Sequence, residues 1–129
     1  MQQIQIPISP GELLDKITIL EIKFERINVA EQKANVNKEL QLLNKVWSDS
    51  GTEDANLLAM RKELKNINTL LWDIEDDIRQ EEHNKNFGDQ FIKLARSVYV
   101  TNDERANIKK RINLHLKSEI VEEKSYESY

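Results

Sequence analysis

Residues 57–78 read LLAMRKELKNINTLLWDIEDDI, and their apolar members Leu57, Met60, Leu64, Ile67, Leu71, Ile74 and Ile78 fall at alternating steps of three and four. A spacing that averages about 3.5 residues marks a helix burying a narrow seam against another helix. The same beat runs through Leu13, Ile17, Leu20, Phe24 and Ile27. Together the two seams predict an all-α fold, an antiparallel bundle of four or five helices with coiled-coil-like seams.

Working outward, the chain before the first seam carries its clearest helix start. In Ser9-Pro10-Gly11-Glu12, Ser9 is a cap, Pro10 suits the first helical position and Glu12 completes a capping box, with Ile8 and Leu13 placed as a hydrophobic staple. The first helix is predicted over about Pro10 to Asn28. Upstream, Ile4, Ile6 and Ile8 alternate with other residues, which predicts an extended N-terminal arm over 1–8 that lies on the bundle or pairs with another copy.

Val36, Leu40, Leu43 and Trp47 are out of phase with the first seam, so a turn is expected near Asn28–Gln32, with a bent continuous helix as the alternative. Gly51 marks a loop, and Thr52 is the expected cap of the third helix, with Glu53 and Asp54 in its first turn. That helix is predicted to reach about Asn84. Phe87, Phe91, Leu94 and Val98 then start a further stripe. Thr101-Asn102-Asp103-Glu104 reads either as a new capping box or as a polar patch in one helix, because Arg105, Ile108, Ile112 and His115 keep the beat; continuity is the favoured reading. The domain organisation is a single unit: arm 1–8, bundle 10–117, acidic tail 118–129. In the tail, Ile120, Val121 and Tyr126 are candidates for docking on the bundle.

Composition excludes several classes of function. The 129 residues are 33% charged and 39% apolar, with a formal charge of −4. A negative balance argues against general nucleic-acid or anionic-membrane binding. There is no cysteine, hence no disulfide, thiol nucleophile or thiolate metal site. The start, MQQIQIPI, lacks a secretion signal and no stretch has the ~20 apolar residues of a membrane span, so a cytoplasmic protein is expected.

Charge is unevenly placed. Asp73 to Glu82 holds six acids and one base, and Arg105 to Lys117 holds five bases and no acid. In an antiparallel hairpin turning near residue 86 the two runs miss each other, which leaves them solvated, paired between subunits, or, for the basic run, free for an anionic ligand. Asp73, Asp76 and Asp77 share a helical face and are the candidate ligands for Mg²⁺, with Glu21 and Glu25 as a second candidate pair. Arg105 occupies a seam position, where a guanidinium needs a partner such as Asp15, Glu21 or Glu25, unless it reaches water. With Arg96, Tyr99, Asn102 and Lys109 it forms the candidate ligand-binding set. Trp72 stands one residue off its seam and, with Ile4 and Ile6, is the candidate interface residue. His83 and His115 stand alone. No residue spacing marks a catalytic group, and no cofactor is expected outside the Mg²⁺ reading.

Four segments, SPGELLDKITILEIKFERI (9–27), LLWDIEDDIR (70–79), ARSVYVTNDERA (95–106) and SEIVEEKSY (118–126), resemble a family of short bacterial and phage proteins catalogued as a domain of unknown function. The resemblance implies that Trp72-Asp73, the Tyr99–Asp103 stretch and the tail are family features, and it implies no reaction. A fainter likeness of the first helix to helical chorismate mutases does not extend to their arginine-lined pocket. The sequence thus predicts a homodimeric interaction or scaffolding module with an unidentified protein partner. The alternative is a small Mg²⁺-dependent enzyme or sensor for a nucleotide or other phosphorylated ligand.

Overall fold

The structure, a computed structural model, describes residues 1–51 and 53–129. It has four helices, α1 (Pro10–Arg26), α2 (Ala30–Ser50), α3 (Ala55–His83) and α4 (Asp89–His115), and no strand among the described residues. None of these helices is long and apolar enough to cross a membrane.

The local signals account for most of the boundaries. The Ser9 hydroxyl accepts from the Glu12 backbone N–H at 3.2 Å and Pro10 opens α1. The box is not closed in return, because the Glu12 side chain turns to Lys109 at 2.6 Å. The change of phase after the first seam is a true break, earlier than expected. Ile27 is already extended, and α2 begins at Ala30 and continues past Trp47 to Ser50, where Gly51 takes the left-handed conformation with φ 64°. The expected Thr52 cap lies outside the described residues. The α3 cap is Asp54, whose Oδ1 accepts from Leu57 N–H at 2.8 Å, so Glu53 and Asp54 precede the helix rather than fill its first turn. Helix α4 is continuous through Thr101, which is buried within it. The Thr101–Glu104 pattern therefore opens no new helix. The arm forms no strand, and Ile4 and Ile6 are exposed; Ile8 packs on the core.

Helix α1 is the centre of the molecule. It packs against α2, α3 and α4, whereas α2 touches α1 alone. Surrounded on three sides, α1 buries Leu14, Asp15, Thr18 and Ile22 in addition to the seam residues Leu13, Ile17 and Leu20. Its buried face is therefore far wider than a coiled-coil stripe. Phe24, expected in the seam, stays 37% exposed beneath Lys33, whose ammonium lies 4.6 Å from the ring centre. Leu14, Ile17, Leu57, Leu64 and Ile112 are completely enclosed, each stabilising the fold by roughly 1.5–3 kcal/mol.

Helices α3 and α4 are antiparallel, as are α1 and α4, which leaves α1 parallel to α3, where Glu21 meets Arg61 and Glu25 meets Lys65. Asp54 meets His115 at 2.9 Å and Glu63 meets Arg111 at 3.1 Å between α3 and α4. Between α1 and α4, Gly11 N–H donates to Asn113 Oδ1 at 2.8 Å and Asp15 binds Arg105. The backbones come close enough at Gly11 that a Cβ there would sit 2.5 Å from the Lys109 carbonyl oxygen, so only glycine fits.

Arg26, the last residue of α1, binds Asp73 at 2.6 Å. Helix α3 continues to His83, so about 15 Å of the α3–α4 hairpin stands clear of α1. At the other end the tail turns back along α4. Glu122 binds Lys109 at 3.2 Å, Glu123 binds Lys110 at 3.3 Å, Lys124 meets Asp103 at 3.6 Å and the Tyr129 hydroxyl donates to Asp103 at 2.6 Å. The tail is thus held by charge and by a Tyr99–Tyr129 edge contact at 5.2 Å, not by Ile120 or Tyr126, which are exposed.

A candidate binding cleft between α1, α3 and α4

The most telling polar group is Asp15, 1% exposed within an apolar bundle. A buried carboxylate is tolerated only with partners, and Asp15 has them on both sides. Arg105 Nε donates to its Oδ1 at 3.0 Å and Nη2 to its Oδ2 at 2.6 Å, a two-pronged pairing. Asn68 Nδ2 donates to the same Oδ1 at 2.9 Å and to the Thr18 hydroxyl at 3.0 Å, while that hydroxyl donates to the Asp15 carbonyl at 3.0 Å. Lys109 Nζ lies 3.9 Å from Asp15 Oδ2 and bonds mainly to Glu12 and Glu122. No buried side-chain polar atom among the described residues is left without a partner.

These pairings set the protonation of the cations. Burial alone would push the Arg105 and Lys109 pKa values down, but the hydrogen bonds and fields of Asp15, Glu12 and Glu122 outweigh it and both are raised. Both side chains are held cationic.

The network forms one wall of an open cleft of about 470 Å³. Ile19, Ile22 and Lys23 of α1, Asn68, Leu71, Trp72, Glu75, Asp76 and Arg79 of α3, and Asn102 and Arg105 of α4 line it. The volume falls in the range of small-molecule sites. The Arg105 Nη1 also donates to Asn102 Oδ1 at 3.3 Å, and each terminal nitrogen of the guanidinium keeps a second N–H. Arg79 is paired with Glu75. Lys23, Asp76 and the Trp72 indole N–H have no partner among the described residues.

The residues singled out in the sequence divide sharply. Asp76, Asn102, Arg105 and Trp72 converge on the cleft, Trp72 lining it together with Ile19, Ile22 and Lys23 of α1. Asp73 is bound to Arg26, and neither it nor Asp77 lines the cleft. Among the described residues no group of three or more His, Asp or Glu is gathered as a metal site would be. Lys109 lies behind the wall, locked by Glu12 and Glu122. Tyr99 is on another face of α4 against Tyr129, and Arg96 does not reach the cleft. Glu21 and Glu25 bind Arg61 and Lys65 separately. His115 caps off Asp54, and His83 is exposed.

Sequence reading missed Asn68, Lys23 and Arg79. Asn68 was findable as a polar residue beside Ile67 and Leu71 in an apolar seam; Arg79 was the lone base in an acidic run. Lys23 carried no signal, since a lysine on an amphipathic helix is ordinary.

The family model described as "Family of unknown function (DUF6165)" matches residues 4–129. No curated protein and no solved structure matches the chain.

Proposed function

We propose that this chain, which belongs to the DUF6165 family of unknown function, is a non-catalytic interaction module that works as a homodimer through its projecting α3–α4 hairpin. The observation that carries the reading is the Arg26–Asp73 contact: it marks where α1 stops, and beyond it two helices stand without a third. A helix pair alone encloses little of a seam, and here it buries Leu94. Along this segment Ile78, Phe91 and Val98 are only half-buried and Phe87 and Ile92 are exposed.

A second copy of the hairpin is the occupant that charge favours. The outer part of α3 carries Asp77, Glu81 and Glu82, and the facing side of the turn and α4 carries Lys85, Lys93 and Arg96, none of them in an ion pair within the chain among the described residues. A two-fold pairing sets α3 of each copy against α4 of the other, bringing acids to bases and completing a four-helix bundle. Four of the five bases in the run 105–117, by contrast, are satisfied internally: Arg105 by Asp15, Lys109 by Glu12 and Glu122, Lys110 by Glu123, Arg111 by Glu63.

Sedimentation velocity at micromolar concentration tests this. A dimer mass is expected, weakening with salt because exposed charges are screened. Ile92→Glu with Phe87→Asp, both at exposed positions, should give a monomer with unchanged helicity. A monomer mass for the unaltered chain across the concentration range overturns the proposal.

A further inference from the structure

The cleft described above is independent of the hairpin tip, and its charges are disposed unusually. Three cations, Lys23, Arg79 and Arg105, and two carboxylates, Glu75 and Asp76, line it. Asp15 directly behind Arg105 makes the balance even. A site of even charge gives little attraction to a multiply charged anion. After the internal pairs are removed, three things remain: cationic donors from α1 and α4 (Lys23 and the second N–H groups of Arg105), a single anion from α3 (Asp76), and the apolar lining of Ile19, Leu71 and Trp72. The Trp72 indole N–H is a further donor without a partner.

We infer that the cleft binds a zwitterionic small molecule, an α-amino acid with a planar apolar side chain, with its carboxylate at Arg105 and Lys23, its ammonium at Asp76 and its side chain on Trp72. The buried Asp15–Asn68–Thr18 network suits this role, because it fixes the Arg105 guanidinium in one orientation before a ligand arrives. A carboxylate accepts N–H groups from a planar guanidinium in its own plane, and an ammonium requires an uncommitted carboxylate, which Asp76 supplies. An uncharged aromatic alcohol would leave Asp76 and Lys23 unanswered.

The test uses the full chain and Trp72 as its own reporter. Trp47 is sealed in the core with its indole N–H on Glu53, so a ligand-dependent change in tryptophan emission reports the cleft. L-Phenylalanine is the probe. 3-Phenylpropionate lacks the ammonium, 2-phenylethylamine lacks the carboxylate, and glycine lacks the side chain. L-Phenylalanine should give a saturable change with a dissociation constant in the millimolar range, absent in Trp72→Phe. The two analogues lacking one charge should bind about three- to fivefold more weakly, the worth of one exposed ion pair, and glycine should cause no change.

Asp76 is exposed and has no partner, so Asp76→Asn leaves the fold intact. It should bring L-phenylalanine down to the level of 3-phenylpropionate and leave 3-phenylpropionate unchanged. Arg105→Lys keeps a cation for Asp15 and should weaken both. No saturable change with L-phenylalanine overturns the inference. Equal binding of 3-phenylpropionate, or an Asp76→Asn variant that weakens both ligands alike, overturns it too.

Discussion

Asp15 and Arg105 show how one pair organises a bundle. Removing one member leaves the other buried without its counter-charge, which costs far more than removing both. Asp15→Ala is expected to lose about 3–5 kcal/mol in urea unfolding, stranding Arg105, whereas Lys109 keeps Glu12 and Glu122. Asp15→Leu combined with Arg105→Met should come back close to the starting stability, because an apolar pair of similar volume needs no desolvation of charge. If the double variant is as weak as the single one, the pair is a net stabiliser and its retention needs no functional reason.

Asp54 offers a pH signature at the same scale. Its hydrogen bond from the Leu57 backbone, and then the contact with His115, hold its pKa below the ordinary carboxylate value. The folded value lies below the unfolded one, so the stabilisation is fully present above the unfolded pKa of about 3.9 and is lost as pH falls through the folded value. Asp54→Asn keeps a capping oxygen but no charge. Its melting temperature should fall below that of the unaltered chain at pH 5, and the gap should close by pH 2.

At the scale of elements, the helices differ in how firmly they are held. Helix α1 is enclosed by three neighbours, whereas α2 touches α1 alone and buries only Leu40 and Trp47 outright. Local opening follows the amount of buried apolar contact. Backbone amides of α2 should therefore exchange with deuterium well before those of α1 and of α3 between Leu57 and Ile74. Equal protection of α1 and α2 would mean that α2 unfolds only with the whole molecule. The tail belongs to the weak class as well, since exposed ion pairs are worth little each. The raised pKa of Tyr129, from its bond to Asp103, shows that this contact favours the neutral phenol.

For the whole molecule, the shape follows from unequal helix lengths. The 17-residue α1 is too short to accompany the 29-residue α3 along its course, so one end of the hairpin is left as a pair. That mismatch produces both the cleft, at the point where α1 runs out, and the projecting tip proposed as the dimer surface. The dimer and cleft proposals are separable, because Ile92 and Phe87 lie outside the cleft lining and Asp76→Asn is read by ligand discrimination rather than by mass.

The sequence by itself pointed to a helical bundle, to the antiparallel pairing of α3 with α4 and to a carboxylate as one partner for Arg105, and left open the join of α1 to α2 and the continuity of α4. The features it pointed to are local or nearly so: apolar spacing, capping chemistry and a buried guanidinium's demand for charge act within a turn or across one hairpin. The resemblance to a family of unknown function was legible too, and the family model matches residues 4–129. Tertiary structure decided which of Asp15, Glu21 and Glu25 answers Arg105, that Asn68 completes the network, and that Lys23 and Trp72 share a cleft. Those choices depend on how α1 lies across α3 and α4, and residues from about fifty to ninety positions apart meet only once that crossing is made.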